Sequence, residues 1–284
     1  MSGVATISAH ALQEALRRRV FTVVAVLTLA FLGLFWLGVA KAFEEARRVQ
    51  PASELLEVDV AVGATLLGLA MFAILFLGAV LGVFLTLGAV RGEAERGLLQ
   101  PLVVRPVGRS AFLLGRFLGA AAVCTVYVVA VFASAAAIVR VAGGWWPDEF
   151  AAPALELAAA VVLLCALSLL GSVFLSTIAN GIAIFMLFGA GLTAGLLGQI
   201  GEALSSQTLE DVGRRTSYAL PFEALYQDGL HRLTSDTFGA AAFVVRLGPF
   251  GGADAADAGV LAWAVVYLGL VAVAASAAFA RRDL

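Results

Sequence analysis

Residues 157–199 read LAAAVVLLCALSLLGSVFLSTIANGIAIFMLFGAGLTAGLLGQ, 43 residues without a single Asp, Glu, Lys or Arg. A helix rises about 1.5 Å per residue and the hydrocarbon core of a bilayer is about 30 Å thick, so one span takes around 20 residues. As one helix this run would be about 65 Å long, so the chain must fold back within it. Ser176-Thr177-Ile178-Ala179-Asn180-Gly181 is the one place in it with turn chemistry. Two spans follow, at about 157–177 and 181–200.

Working outward, charge is also absent from 20–40, 60–90, 117–139 and 258–280. These add spans at about 20–40, 60–90, 111–139 and 258–280. The expectation is an all-α, polytopic membrane protein with six transmembrane helices in a single transmembrane domain over 1–284. Composition agrees, because 62% of residues are hydrophobic and only 13% charged, about half the charge that a soluble surface needs. The run 60–90 would be about 46 Å long as a helix. It either tilts or emerges from the bilayer before Arg91.

Charge is divided among the connecting segments. Segments 1–19, 91–116 and 281–284 hold 10 Arg against four acids, whereas 41–59, 140–156 and 200–257 hold eight basic residues against 16 acids. By the positive-inside rule the first set is cytoplasmic, which puts both termini inside, as six spans require. Trp36, Trp145, Trp146 and Trp263 then fall near the outer interface, where an indole is favoured. Residues 5–19 predict a helix lying on the inner leaflet, with Arg17, Arg18 and Arg19 near anionic head groups; the plainer alternative is a topogenic charge cluster. Between spans five and six, 201–257 is an external segment with helical character over Glu202 to Arg215, an interruption at Pro221 and a resumption over Phe222 to Leu233. Thr237 to Gly252 is apolar but too short and too charged to span, and reads as an outer-leaflet or re-entrant cap, with a disordered loop as the alternative.

Between spans two and three the chain reads RGEAERGLLQPLVVRPVGRSAFLLGR, Arg91 to Arg116. Leu98 and Leu99 follow Glu93, Glu95 and Arg96 by one turn, which suits a brief amphipathic helix closed by Pro101. Pro106 and Gly108 break the chain again, and Ser110 is expected to cap the helix that follows. Three small-xxx-small patterns, Gly78 to Gly82, Gly115 to Gly119 and Gly191 to Gly195, permit close helix contact within the subunit or between copies.

Absent chemistry narrows the function. A P-loop needs Lys after Gly, and the one Lys in the chain, Lys41, follows Ala40. The uncharged runs 20–40, 60–90, 117–139, 157–199 and 258–280 hold no His either, which removes the usual ion-coupling and protease residues and leaves only carbonyls and Ser/Thr to handle protons or Na⁺. Cys124 and Cys165 both fall in spans, where a small apolar role is expected and a structural disulfide is not. His10, His231, Met1, Met71 and Met186 are scattered, so no metal site is expected, and His231 reads as a solvated or interfacial residue. No catalytic residue is expected.

The 91–116 segment resembles the cytoplasmic loop of permease subunits from type-2 ABC exporters. In that loop an acidic residue, a Gly-Thr-Leu-like turn, a Leu pair, an Arg-Pro-Val-Ser-Arg-like turn and a Gly-Lys pair follow in order. The matching residues are Glu93 or Glu95, Gly97-Leu98-Leu99, Arg105-Pro106-Val107-Gly108-Arg109 and Gly115-Arg116, with Leu98 in place of Thr and Gly108 in place of Ser. The ending FARRDL at 279–284 is similar to the family's usual ending. The branch most resembled is that of permeases linked to multicopper-enzyme maturation, including the nitrous oxide reductase assembly system. The resemblance implies a half-transporter of the prokaryotic cytoplasmic (inner) membrane, docked through Glu93, Glu95, Arg96, Gly97, Leu98, Leu99, Arg105, Pro106 and Arg109 onto two ABC ATPase subunits that carry the ATP and Mg. It further implies short external helices between spans five and six. This chain itself would need no cofactor. Expected partners are those ATPases, a second permease copy in a homodimer or heterodimer, the lipid bilayer and an extracytoplasmic accessory protein, with no nucleic acid. Two other readings are a membrane scaffold for assembly of an extracytoplasmic enzyme and an ATP-independent transporter.

Overall fold

The computed structural model describes residues 19–49, 55–87, 109–234, 255 and 258–281. Among them regular structure is entirely helical: α1 (Arg19–Val49), α2 (Leu55–Thr86), α3 (Arg109–Gly143), α4 (Ala151–Phe174), α5 (Thr177–Leu204), α6 (Gln207–Ala219), α7 (Pro221–Thr234) and α8 (Ala258–Ala280). Six of these, α1 to α5 and α8, are long and apolar enough to cross a membrane. The expected inner-leaflet helix, the connector from Arg91 to Gly108 and the apolar stretch Thr237 to Gly252 lie outside the described residues.

The long uncharged run does fold back, and does so in two residues. Leu175 is extended after α4, and Ser176 starts α5 with its hydroxyl accepting from the Ala179 amide at 3.5 Å, which meets one of the orphan N–H groups of the new helix. Thr177 to Gly181, expected in the turn, already belongs to α5. Asn180 is fully buried, and its Nδ2 donates to the Ser168 carbonyl at 2.8 Å and the Leu87 carbonyl at 3.5 Å. Its amide therefore ties α5 to α4 and to the end of α2.

Two other boundaries differ from expectation. α2 closes at Thr86, whose hydroxyl bonds back to the Gly82 carbonyl at 2.8 Å, and Leu87 sits in a turn; Gly88, a common helix stop, follows in sequence. Helix α2 therefore ends before Leu87. α3 starts at Arg109, so Ser110 lies inside its first turn rather than capping it.

The centre of the bundle is α2, α3 and α4, and Leu67, Ile74, Leu81, Val128, Phe132, Leu157 and Leu164 of these helices are fully buried. Lipid tails are as apolar as Leu, so close backbone approach rather than hydrophobic transfer holds such helices together. Gly78 provides that approach: a Cβ there would stand 2.8 Å from Val161 Cγ2 and 3.0 Å from Val128 Cγ2. The Gly78 to Gly82 pattern is thus a contact within the subunit. α1 packs on α2 and α3, and α8 on α3, α4 and α7, each turning Leu and Val outward.

Candidate functional site

The two ends of the bundle differ in charge. At one end sit Leu87, the Ser176 turn, the start of α3 and the close of α8, where Phe112 and Phe279 pack with ring centroids 6.3 Å apart. Arg116 lies over the Phe112 ring at 5.7 Å, and Arg281 follows α8. No Asp or Glu occurs among the described residues of this end. Described acidic side chains all lie toward the other end, with Arg47 reaching Asp59 at 3.5 Å and the Gly143 carbonyl at 3.2 Å.

Of the residues read from sequence as docking groups, Glu93, Glu95, Arg96, Gly97, Leu98, Leu99, Arg105 and Pro106 lie outside the described residues, as do Arg17 and Arg18. Arg109 and Arg19 are placed only as the first residues of α3 and α1. What the structure does fix is where the connector leaves and returns. It leaves after Leu87 and returns at Arg109, both at the end that has no described acid.

The other end carries a feature that the sequence reading located but did not shape. α5 ends with Ser205 in the left-handed region, φ 53°, and α6 then runs back antiparallel along α5. Gly201 meets Leu209 and Glu210, and Gly198 meets Gly213. After Leu220, α7 turns outward again. The tip of this hairpin lies where Phe222 stacks on Phe188 at 5.9 Å beside Gly191, about 20 Å back along α5 from its end. Both stretches expected to be helical are so, with Gln207–Ala219 and Pro221–Thr234 as their bounds and Glu202 still within α5. Pro221 opens α7 rather than breaking a helix, a position where its missing N–H costs nothing.

α7 is almost wholly buried against α4, α2, α8, α6 and α5, yet it carries charge. Glu223 is 2% exposed and accepts from the Ser217 hydroxyl at 2.9 Å and from the Gln227 amide. Buried Tyr226 has a hydroxyl without a hydrogen-bond partner among the described residues. Burial, then the nearby Glu223 carboxylate, pushes its pKa well above the ordinary tyrosine range. One turn on, Asp228 is 2% exposed and accepts from Arg232 Nε at 3.0 Å. The same Nε lies 3.0 Å from Glu156 of α4, and Arg232 Nη1 lies 3.4 Å from Glu149. Arg232 thereby joins the α3–α4 loop, α4 and α7, and Asp228, then Glu156, hold its charge more firmly than usual.

Between α5, α6 and α7 opens a cleft of about 230 Å³ lined by Gly195, Gly198, Glu202, Glu210, Gly213, Arg214, Ser217 and Gln227. Its walls offer donors and acceptors, and Arg214 is tied to Asp211. No group of three or more His, Cys, Asp or Glu side chains among the described residues is placed to hold a metal. The signal for this cluster was visible in FEALYQDGLHRL at 222–233, where polar residues recur on every face of a short helix. A soluble surface helix with polar residues on one side would be exposed; this one is buried because Arg232, Ser217 and Gln227 satisfy its carboxylates.

A family model described as ABC-2 family transporter protein matches residues 5–284. The chain belongs to the ABC-2 transporter family. Within 137 residues it is 32% identical to Probable ABC transporter permease protein NosY of Pseudomonas aeruginosa, a match covering 48% of this chain and 45% of that protein. It thus aligns with a little under half the length of that curated relative. For an ABC-2 permease the six apolar helices are the transmembrane portion, and the protein is a multi-pass membrane protein.

Proposed function

We propose that this ABC-2 protein is the permease half of an ABC exporter in the inner membrane, with its termini and the connector after α2 on the cytoplasmic side. Two copies, or one copy and a similar partner, would sit on two separate ATPase subunits that supply ATP and Mg. The observation that supports this reading best is the segregation of charge. The connector joins α2 to α3 at the end bearing Arg116 and Arg281 and free of described acids, where the positive-inside rule places the cytoplasm.

On this reading Leu98 and Leu99 enter an apolar cleft of the ATPase, with Glu93, Glu95 and Arg96 at its rim, after which Gly97 turns the chain. Arg105, Pro106 and Arg109 hold the next turn. Movement of the ATPases would press on α2 and α3, at the packed centre of the bundle, and shift them as rigid bodies. Arg17, Arg18 and Arg19 would lie near inner-leaflet head groups.

Copurification tests the docking site. Each Leu buries a side chain worth roughly 1.5–3 kcal/mol, and each 1.4 kcal/mol is about tenfold in association. Replacing both, Leu98→Asp with Leu99→Asp, should cut ATPase recovery by orders of magnitude while the chain still reaches the membrane. Undiminished recovery would remove this docking site.

A further inference from the structure

Cys124 of α3 and Cys165 of α4, the two cysteines of the chain, stand with their sulfurs 3.7 Å apart. Both are free and fully buried. At that separation the sulfurs are in van der Waals contact and no atom fits between them. Gly82 of α2 makes room for the pair, since a Cβ there would press on Cys165 Sγ and lie 3.4 Å from Cys124 Sγ. Three helices thus meet at two thiols and a missing side chain. With no third ligating group nearby among the described residues, the chemistry open to these thiols is with each other.

We propose that Cys124 and Cys165 form a reversible oxidation site, closing to an intramolecular disulfide that bolts α3 to α4. A disulfide is about 2.05 Å long, so about 1.7 Å must close, a distance that rotation of two small side chains and slight helix movement supply. Closure breaks two S–H bonds and makes one S–S bond. The two electrons and two protons pass to a lipid-soluble two-electron oxidant of the quinone class, which leaves as the quinol. Burial among apolar side chains favours oxidants that dissolve in the bilayer over those confined to water. If the connector is the coupling segment, as proposed above, the bond restrains the helix that carries the connector's far end, and so acts as a brake on coupling.

The chain in membrane vesicles is treated with dipyridyl disulfide, an apolar reagent. One thiol displaces a thiopyridone to form a mixed disulfide, and the second displaces another to leave the internal bond. The expected result is two thiopyridones released per chain and an intact mass two hydrogens lower with no pyridylthio group retained. The single variants Cys124→Ser and Cys165→Ser should each release one and retain one pyridylthio group. Two retained groups on the wild-type chain, no reaction, or covalent chain dimers would overturn the site. This readout needs no ATPase, so it stands apart from the permease reading. With a bound ATPase, oxidation by a lipid-soluble quinone should lower ATP turnover several-fold in the wild type, restored by an apolar phosphine, and leave Cys124→Ser, which can form no internal bond, unchanged. Unchanged turnover after oxidation would overturn the brake.

Discussion

Gly213 of α6 lies directly on Gly198 of α5: a Cβ on Gly213 would stand 2.7 Å from the Gly198 Cα and 3.3 Å from the Ala194 carbonyl oxygen. The obstacle is backbone, which cannot rotate away. Gly213→Ala gains up to about 1 kcal/mol of helix propensity but must push α5 and α6 apart, at a cost of about 1–3 kcal/mol. Net destabilisation is expected, read as a lower unfolding midpoint in detergent. Gly189→Ala on the same α5 meets nothing within 4 Å and should be neutral or slightly stabilising. Equal midpoints for the two variants would mean that the hairpin does not sit on α5 as described.

Arg232→Met should loosen the outward-running helix of that hairpin. The substitution leaves the Asp228 carboxylate, 2% exposed, without its cation. Removing one partner of a fully buried pair costs about 3–5 kcal/mol, and the guanidinium side chain is 35% exposed, so a loss of about 1–3 kcal/mol is expected. Glu149→Gln, on the exposed side of the same guanidinium, should cost under about 1 kcal/mol and depend on salt. The comparison of the two midpoints at low and high salt checks both.

The span count was legible in the sequence because apolar length is all that a bilayer requires, and the fold-back near Ser176 because no 43-residue helix fits one. Helix ends were less legible. α2 closes at Thr86, whose hydroxyl bonds back to Gly82, whereas the absence of charge continues to residue 90. The polar hairpin resisted reading for a different reason. Glu223 and Asp228 look like surface residues: their pairs with Gln227 and Arg232 are four residues on along the same helix and legible, but the burial by α2, α4 and α5 and the contacts to Ser217 and Glu156 come only with the tertiary fold. Likewise Cys124 and Cys165 are remote in sequence and meet only because Gly82 admits them. The docking residues were read from their own pattern and their resemblance, and the structure adds the place where their segment joins the bundle.

Asn180 offers a test in which polarity, not size, decides. Its Nδ2 faces two carbonyl oxygens, of Ser168 and Leu87. Asn180→Leu removes these hydrogen bonds at about 0.5–1.5 kcal/mol. Asn180→Asp keeps the shape but turns acceptor against acceptor in a fully buried place, which is costlier. The order wild type, Leu, Asp in unfolding midpoint is expected; Asp above Leu would exclude the donor role.

Sidedness is open to labelling in a Cys124→Ser/Cys165→Ser background, where both free native thiols are gone and an introduced Cys reports alone. In intact cells Ser110→Cys, at an exposed site in the first turn of α3, should react only with membrane-permeant maleimides. Ser206→Cys, between α5 and α6, should react with impermeant ones. The opposite pattern would invert the protein in the membrane and remove the connector from the ATPase side.

The burial of α7 also bears on how the protein is made. A helix with Glu223, Gln227, Asp228, His231 and Arg232 in 14 residues gains nothing by entering lipid on its own. Its walls on α2, α4 and α5 all leave the ribosome before it, and they already present Gly68, Gly191 and Gly195 where Leu230, Phe222 and Glu223 come to rest. Only the wall on α8 is made later, so the segment is seated against helices already in place, and its solvent during insertion is protein rather than hydrocarbon.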